Sequence, residues 1–141
     1  MLRGKILYKF QSLFLLVFPY HLYYNGSMHE MSYVSRVVSL AMEMIQQNNL
    51  TKVTELQVEV GAMAGVVPEL MEKCYRQAVA GTVLEGSILT MTPKAVTAKC
   101  DDCGTTYEPN RDNDYCCPNC KSHKSQIVGG RKVILEKVVG E

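Results

Sequence analysis

The chain has 141 residues, 47% of them hydrophobic and 21% charged, with a formal net charge of +1. That length holds one domain, or one domain with a small module, and the composition is ordinary for a globular protein. Residues 1–27 carry Arg3, Lys5 and Lys9 and no acid, so of 15 basic and 14 acidic residues the rest keeps 12 against 14, a body without the broad positive field that grips nucleic acid.

The first 27 residues differ in character from the remainder of the chain. All three Phe residues (Phe10, Phe14, Phe18) and four of the eight Tyr residues (Tyr8, Tyr20, Tyr23, Tyr24) lie there. The apolar run Leu13–Phe18 is short for a secretory signal and no small-x-small cleavage site comes after it. A membrane span needs about 20 apolar residues, and Pro19 and His21 interrupt this one. Asn25-Gly26-Ser27 matches a glycosylation acceptor, but nothing else points to a secreted chain. The same tripeptide can be encoded by a GGAAG-like purine run, which resembles a ribosome-binding site just ahead of Met28. Residues 1–27 are therefore read as a misassigned start or non-native extension, with translation expected to begin at Met28.

Val34, Val37, Val38, Ala41 and Ile45, with Leu40 and Met44 beside them, have helix spacing and predict a core-facing stripe, capped by Ser32 and ending at Gln46-Gln47-Asn48-Asn49. Met42 and Met44 read as core filling. Glu55–Val60 alternates strictly and predicts a half-buried strand with Leu56, Val58 and Val60 inward. Gly61 ends it, Gly65 opens a turn, and Pro68 suits the first turn of a second helix, where its missing N–H costs nothing. Leu70, Met71, Cys74, Tyr75, Ala78 and Val79 form that helix's stripe, with Cys74 a buried small hydrophobe and Gly81 the stop. Ile88–Ala98 reads as extended, with Pro93 at an edge or bulge. Gln126–Val128 and Arg131–Val139, joined by Gly129-Gly130, read as a hairpin. The fold class expected is α+β, a small mixed sheet with two helices plus an inserted zinc-ribbon-like four-cysteine lobe. The domains expected are 28–99 with 126–141 as one body and 100–125 as the lobe.

Five of the six cysteines fall between positions 100 and 120. Clustered Cys-x-x-Cys pairs without a clear secretory signal point to metal rather than disulfides and to a reducing, cytoplasmic compartment. Cys100 and Cys103 form one pair, and Cys117 and Cys120 form the other, with thirteen residues between the pairs. Each pair brings two thiolates to one point, and four thiolates in a closed tetrahedron suit structural zinc. So short and polar a segment buries little core, so metal binding drives its folding. Cys116 competes with Cys117 for one position, although the Cys-Pro-x-Cys turn favours Cys117, and His123 is near enough to substitute. A redox role is disfavoured by two matched pairs. Mixed charges at Asp101, Asp102, Glu108, Arg111, Asp112, Asp114, Lys121 and Lys124 disfavour nucleic acid.

A chain starting at Met28 offers a second metal site. Its free amine, the His29 backbone nitrogen and the His29 imidazole close a five-membered and a six-membered chelate ring, a nitrogen set suited to Ni(II) or Cu(II). Glu30 can add an oxygen or act on those ligands from behind. No nucleophile–base pair or phosphate-cradling Gly-rich loop is present, so no enzymatic activity is expected.

Met28-His29-Glu30, the helix after it, Val60-Gly61, Val67-Pro68-Glu69, Gly81-Thr82-Val83-Leu84-Glu85-Gly86 and the paired Cys-x-x-Cys motifs occur in one order. That order resembles the HypA/HybF family of hydrogenase nickel-insertion proteins from Met28 to about Val139. The resemblance implies a non-catalytic nickel metallochaperone with nickel at Met28, His29 and Glu30 and zinc at Cys100, Cys103, Cys117 and Cys120. It implies transient Ni(II), a GTPase nickel-insertion partner, delivery to the [NiFe]-hydrogenase large subunit and in some bacteria service to urease, with no nucleic acid and no membrane. Self-association into a homodimer stays open. Some family members offer nickel an acid from the loop after Gly61; here Ala62-Met63-Ala64-Gly65-Val66-Val67 has none. The alternative is a zinc-ribbon protein- or nucleic-acid-interaction module without nickel.

Overall fold

A computed structural model describes the backbone of residues 6–9 and 26–141 and the side chains from His29 onward. Most of the expectation for residues 1–27 therefore lies outside the described residues. The elements run β1 (Ile6–Lys9), α1 (Gly26–Gln47), β2 (Val53–Gly61), α2 (Pro68–Val79), β3 (Ile88–Lys94), β4 (Thr97–Cys100), β5 (Thr106–Tyr107), β6 (Ser125–Gly129) and β7 (Val133–Gly140). Short 3-10 turns occupy Ala62–Ala64 and Arg111–Asn113. This is the α+β class expected.

The chain divides into two compact units. One takes residues up to Val58, Val66–Met91 and Ile134–Glu141. In it α1 packs on α2, burying Val34, Val37, Ala41, Met44 and Ile45 from one helix and Met71, Cys74, Tyr75 and Val79 from the other. Leu56, Val58, Leu135 and Val138 are buried on the strands. The other unit takes Glu59–Gly65 and Thr92–Val133 and holds a three-stranded sheet in the order β5-β4-β6. A four-stranded sheet has the order β1-β7-β2-β3. Strand β1 lies antiparallel on β7, from Ile6 opposite Gly140 to Lys9 opposite Lys137. Pro93 sits in edge strand β3, where its missing N–H breaks no central ladder.

Four local expectations change. The first helix begins at Gly26, so Ser32 is an exposed residue inside α1 and not its cap. Its buried stripe starts at Glu30, four residues before Val34; a carboxylate in that position hid the true start of the period. Met42 is exposed while Met44 is buried. Leu70, assigned to the stripe of α2, is also exposed. Lastly, β6 and β7 do not form a hairpin, because β6 pairs with β4 and β7 belongs to the other sheet. The glycines between them serve close approach. Gly130 has φ +81, and a Cβ there would lie 2.5 Å from the Ala95 carbonyl oxygen, while one on Gly61 would lie 2.4 Å from that of Gly130. No side chain fits at either place.

Candidate metal centres

The two Cys-x-x-Cys turns are built alike. The Cys100 N–H donates to Thr105 O and the Cys100 carbonyl accepts from Gly104 N–H, both at 2.9 Å. The Cys117 N–H donates to Ser122 O at 3.0 Å and its carbonyl accepts from Lys121 N–H at 2.9 Å. Closing each loop needs a left-handed residue four places after the first cysteine, supplied by Gly104 (φ 75) and by Lys121 (φ 61). Only the first of these is visible in the sequence as a glycine. The turns sit on the three-stranded sheet, whose small core is Ala98, Cys100, Tyr107 and Cys117 with Ile127 packed against it. The Ser122 hydroxyl donates to the Asp102 carboxylate and ties one turn to the other.

The four Sγ atoms of Cys100, Cys103, Cys117 and Cys120 all lie within 4.8 Å of one another. Cys100 and Cys120 are 3.5 Å apart, as are Cys103 and Cys117. A tetrahedron with Zn–S bonds of about 2.3 Å has sulfur–sulfur edges of about 3.8 Å, so the cluster fits a four-thiolate zinc site. The thiols also show why a cation belongs there. Hydrogen bonds from the Thr105 hydroxyl and backbone lower the Cys103 thiol to about 6. The Ser122 backbone N–H acts to lower Cys120, but the sulfurs of Cys100, Cys103 and Cys117, together with desolvation, push it up to about 12. Four negative sulfurs cannot share so small a volume alone, and a divalent ion removes that penalty.

Cys116 is outside this cluster. Its Sγ is 3.1 Å from His123 Nδ1 and donates to Asp114 O at 3.2 Å. The adjacent Asp114 and Tyr115 have positive φ, so the chain reverses just before the ligand pair. Cys116 and Cys117 are both buried, but only the Cys117 sulfur joins the other three. His123 serves Cys116 and does not enter the four-sulfur group.

Met28, His29 and Glu30 occupy the first turn of α1. His29 is exposed, with its ring edge-on to Tyr33 at a centroid distance of 4.9 Å. Glu30 is 2% exposed, and its Oε1 accepts from the Val67 N–H at 3.1 Å. Its Oε2 is buried with no hydrogen-bond partner among the described residues. Val67 is the N-cap residue of α2 and offers no side-chain cap of its own. The loop that lacks an acid thus meets Glu30 through a backbone N–H, a contact that leaves no sequence signal. Among the described residues no helix is long and apolar enough to cross a membrane.

Residues 28–140 match the family model described as HypA, a hydrogenase/urease nickel-incorporation metallochaperone. The hydrogenase maturation factor HypA of Aquifex aeolicus is 34% identical over 111 residues, covering 79% of this chain and 96% of that one. The same factor from Aeromonas hydrophila is 36% identical over 103 residues, covering 73% and 90%. The fold is similar to the solution structure of the Ni metallochaperone HypA from Helicobacter pylori, with a TM-score of 0.63, 21% identity, and 79% and 96% of the two chains covered. A second HypA solution structure gives a TM-score of 0.67 at 24% identity, covering 81% and 97%. About four-fifths of this chain thus aligns with nearly all of each solved one. With its paired cysteine turns, its two-helix body and a family match over all but the first residues and the last, the chain belongs to the HypA family of nickel-incorporation metallochaperones.

Proposed function

We propose that this protein carries Ni(II) on a terminus formed by Met28, His29 and Glu30 and surrenders it by ligand exchange during maturation of the [NiFe]-hydrogenase large subunit. The observation that carries this reading is that the family match begins at Met28, the residue whose amine would complete the chelate. The exposure of His29 supports it, because a metal passed to another protein must be reachable by the incoming ligands. A retained residue 27 would turn the Met28 nitrogen into a peptide amide and remove one donor. The functional chain in this reading therefore starts at Met28 and works in the cytoplasm. Residues 100–125, shaped by zinc, form a lobe for docking, and 28–99 with 126–141 form the nickel-bearing body. The receiving partner is a GTPase nickel-insertion protein, with urease a second destination for the same cargo. The protein itself performs no catalysis.

The test is nickel titration of the chain starting at Met28, of the full chain and of His29→Ala. The short chain is expected to bind one nickel with a planar-site absorption band, the full chain to bind more weakly, and His29→Ala to lose the band. Equal affinity in all three would sink the proposal.

A further inference from the structure

Glu30 is the only charged side chain buried among the described residues. It opens the stripe continued by Val34, Val37 and Ala41, so the first turn of α1 presents a carboxylate where the later turns present aliphatic groups. Burying it is costly unless something fixes the charge. What fixes it is the start of α2. Val67 has no side-chain oxygen to cap that helix, and Pro68 at the next position has no N–H to give. Glu30 Oε1 takes the Val67 N–H at 3.1 Å and puts negative charge at the positive end of the helix.

Building on the nickel reading above, we infer that Glu30 is a positioning residue and not a nickel ligand: its carboxylate clamps the first turn of α1 to the N-terminus of α2 and so sets where the nickel-binding terminus stands. Two observations separate clamp from ligand. His29, one residue away, is exposed while Glu30 is 2% exposed, so the donors that can meet a partner lie on a different face from the carboxylate. Turning Glu30 outward to reach a metal would also break the Val67 bond and strand a backbone N–H at a helix start. The unpartnered Oε2 completes the assignment. A terminal amine at Met28 would bring N–H donors two residues from an acceptor that has none, and such a partner orients a ligand without touching the metal.

The experiment compares Glu30→Gln, Glu30→Ala and His29→Ala in the full chain and in the chain starting at Met28. Nickel affinity, the nickel d–d absorption band and hydrogen exchange at the Val67 amide are measured. Glu30→Gln keeps an oxygen for Val67, so protection at Val67 and the band should both match the parent. Glu30→Ala should lose Val67 protection and weaken nickel binding by about 10–100-fold, as loss of an orienting partner does, while the band at saturating nickel stays where it was. A band that moves in Glu30→Gln with Val67 protection intact makes Glu30 a ligand and overturns the inference. Unchanged Val67 exchange in Glu30→Ala overturns it from the other side. If the parent chain starting at Met28 shows no His29-dependent nickel band, it is the nickel reading that fails; the exchange data still decide the clamp.

Discussion

Replacing Cys116 and Cys117 one at a time separates two sulfurs that are neighbours in the chain and apart in their contacts. The Cys117 Sγ is 3.5 Å from that of Cys103 and belongs to the four-sulfur group. Structural zinc contributes about 10–16 kcal/mol to small four-ligand modules. A quarter of that is about 2.5–4 kcal/mol, so Cys117→Ala should weaken zinc binding by about 10²–10³-fold. It also removes a member of the core that holds Ala98, Cys100 and Tyr107 together. Cys116→Ala removes one weak S–H hydrogen bond to Asp114 O and the contact with His123, a loss of about 1 kcal/mol in stability with little effect on the metal. Competition against a chromophoric chelator measures the affinities, and cobalt substitution counts thiolates through the charge-transfer band. Equal loss of zinc in the two variants, or a three-thiolate cobalt spectrum from Cys116→Ala, would refute the assignment.

Three further outcomes rest on the same geometry. Lys121 holds the left-handed position that Gly104 fills in the other turn, so Lys121→Gly should tighten zinc retention by up to about 1 kcal/mol, roughly fivefold; a thermal melt of the zinc form that falls instead would count against the matched-turn account. Zinc added to the metal-free chain at neutral pH should release protons into weak buffer. Cys103, near 6, is already ionised there, whereas Cys120, near 12, must give up its proton. Zinc affinity should fall more steeply once the pH drops below 6 and Cys103 also holds a proton, and uptake without acidification would contradict this. Tyr75 is buried and its hydroxyl meets Ser87 Oγ at 2.6 Å, so Tyr75→Phe should cost about 1 kcal/mol at neutral pH. Burial raises the Tyr75 phenol above its usual 10.0, so its contribution is complete below that pH and fades as the pH climbs toward the folded value. Denaturant melts above pH 10 should show this alkaline loss in the parent and not in the phenylalanine variant.

The zinc turns are legible in the sequence because their requirement is local: two cysteines at the right spacing suffice, whatever the rest of the chain does. The helix stripes are legible for the same reason, since Val34, Val37, Ala41 and Met71, Cys74, Tyr75, Val79 repeat within a few residues. What escapes is set by distant neighbours. Gly129-Gly130 has the signature of a tight hairpin, but the carbonyl of Ala95 dictates the absence of a side chain at Gly130. The two-residue strand β5 exists only because β4 offers it an edge. Alternation alone starts strand β2 at Glu55, yet Val53 is buried and belongs to it while Val60 is only half-buried, so burial along the strand does not follow strict alternation.

Glu30 is the instructive case, because its sequence context draws attention to it without showing what holds its carboxylate. Beside His29 the carboxylate reads as an added oxygen for a metal or as a group acting on its ligands from behind, and the apolar stripe of the helix reads as starting at Val34. Neither view anticipates a buried group held by the Val67 amide. The reason is that a helix start is two problems at once. In the nickel reading proposed above, the start of α1 would leave its terminus free for a metal while the rest of α1 docks on α2. An apolar residue at position 30 would dock the turn but offer nothing to the unpaired backbone donor of Val67. A polar residue that reaches across satisfies both, by fixing the turn at one atom while leaving His29 free on the other face. The loop after Gly61 carries no acid of its own. That loop supplies an N–H at Val67, and Glu30 provides the one carboxylate the junction needs.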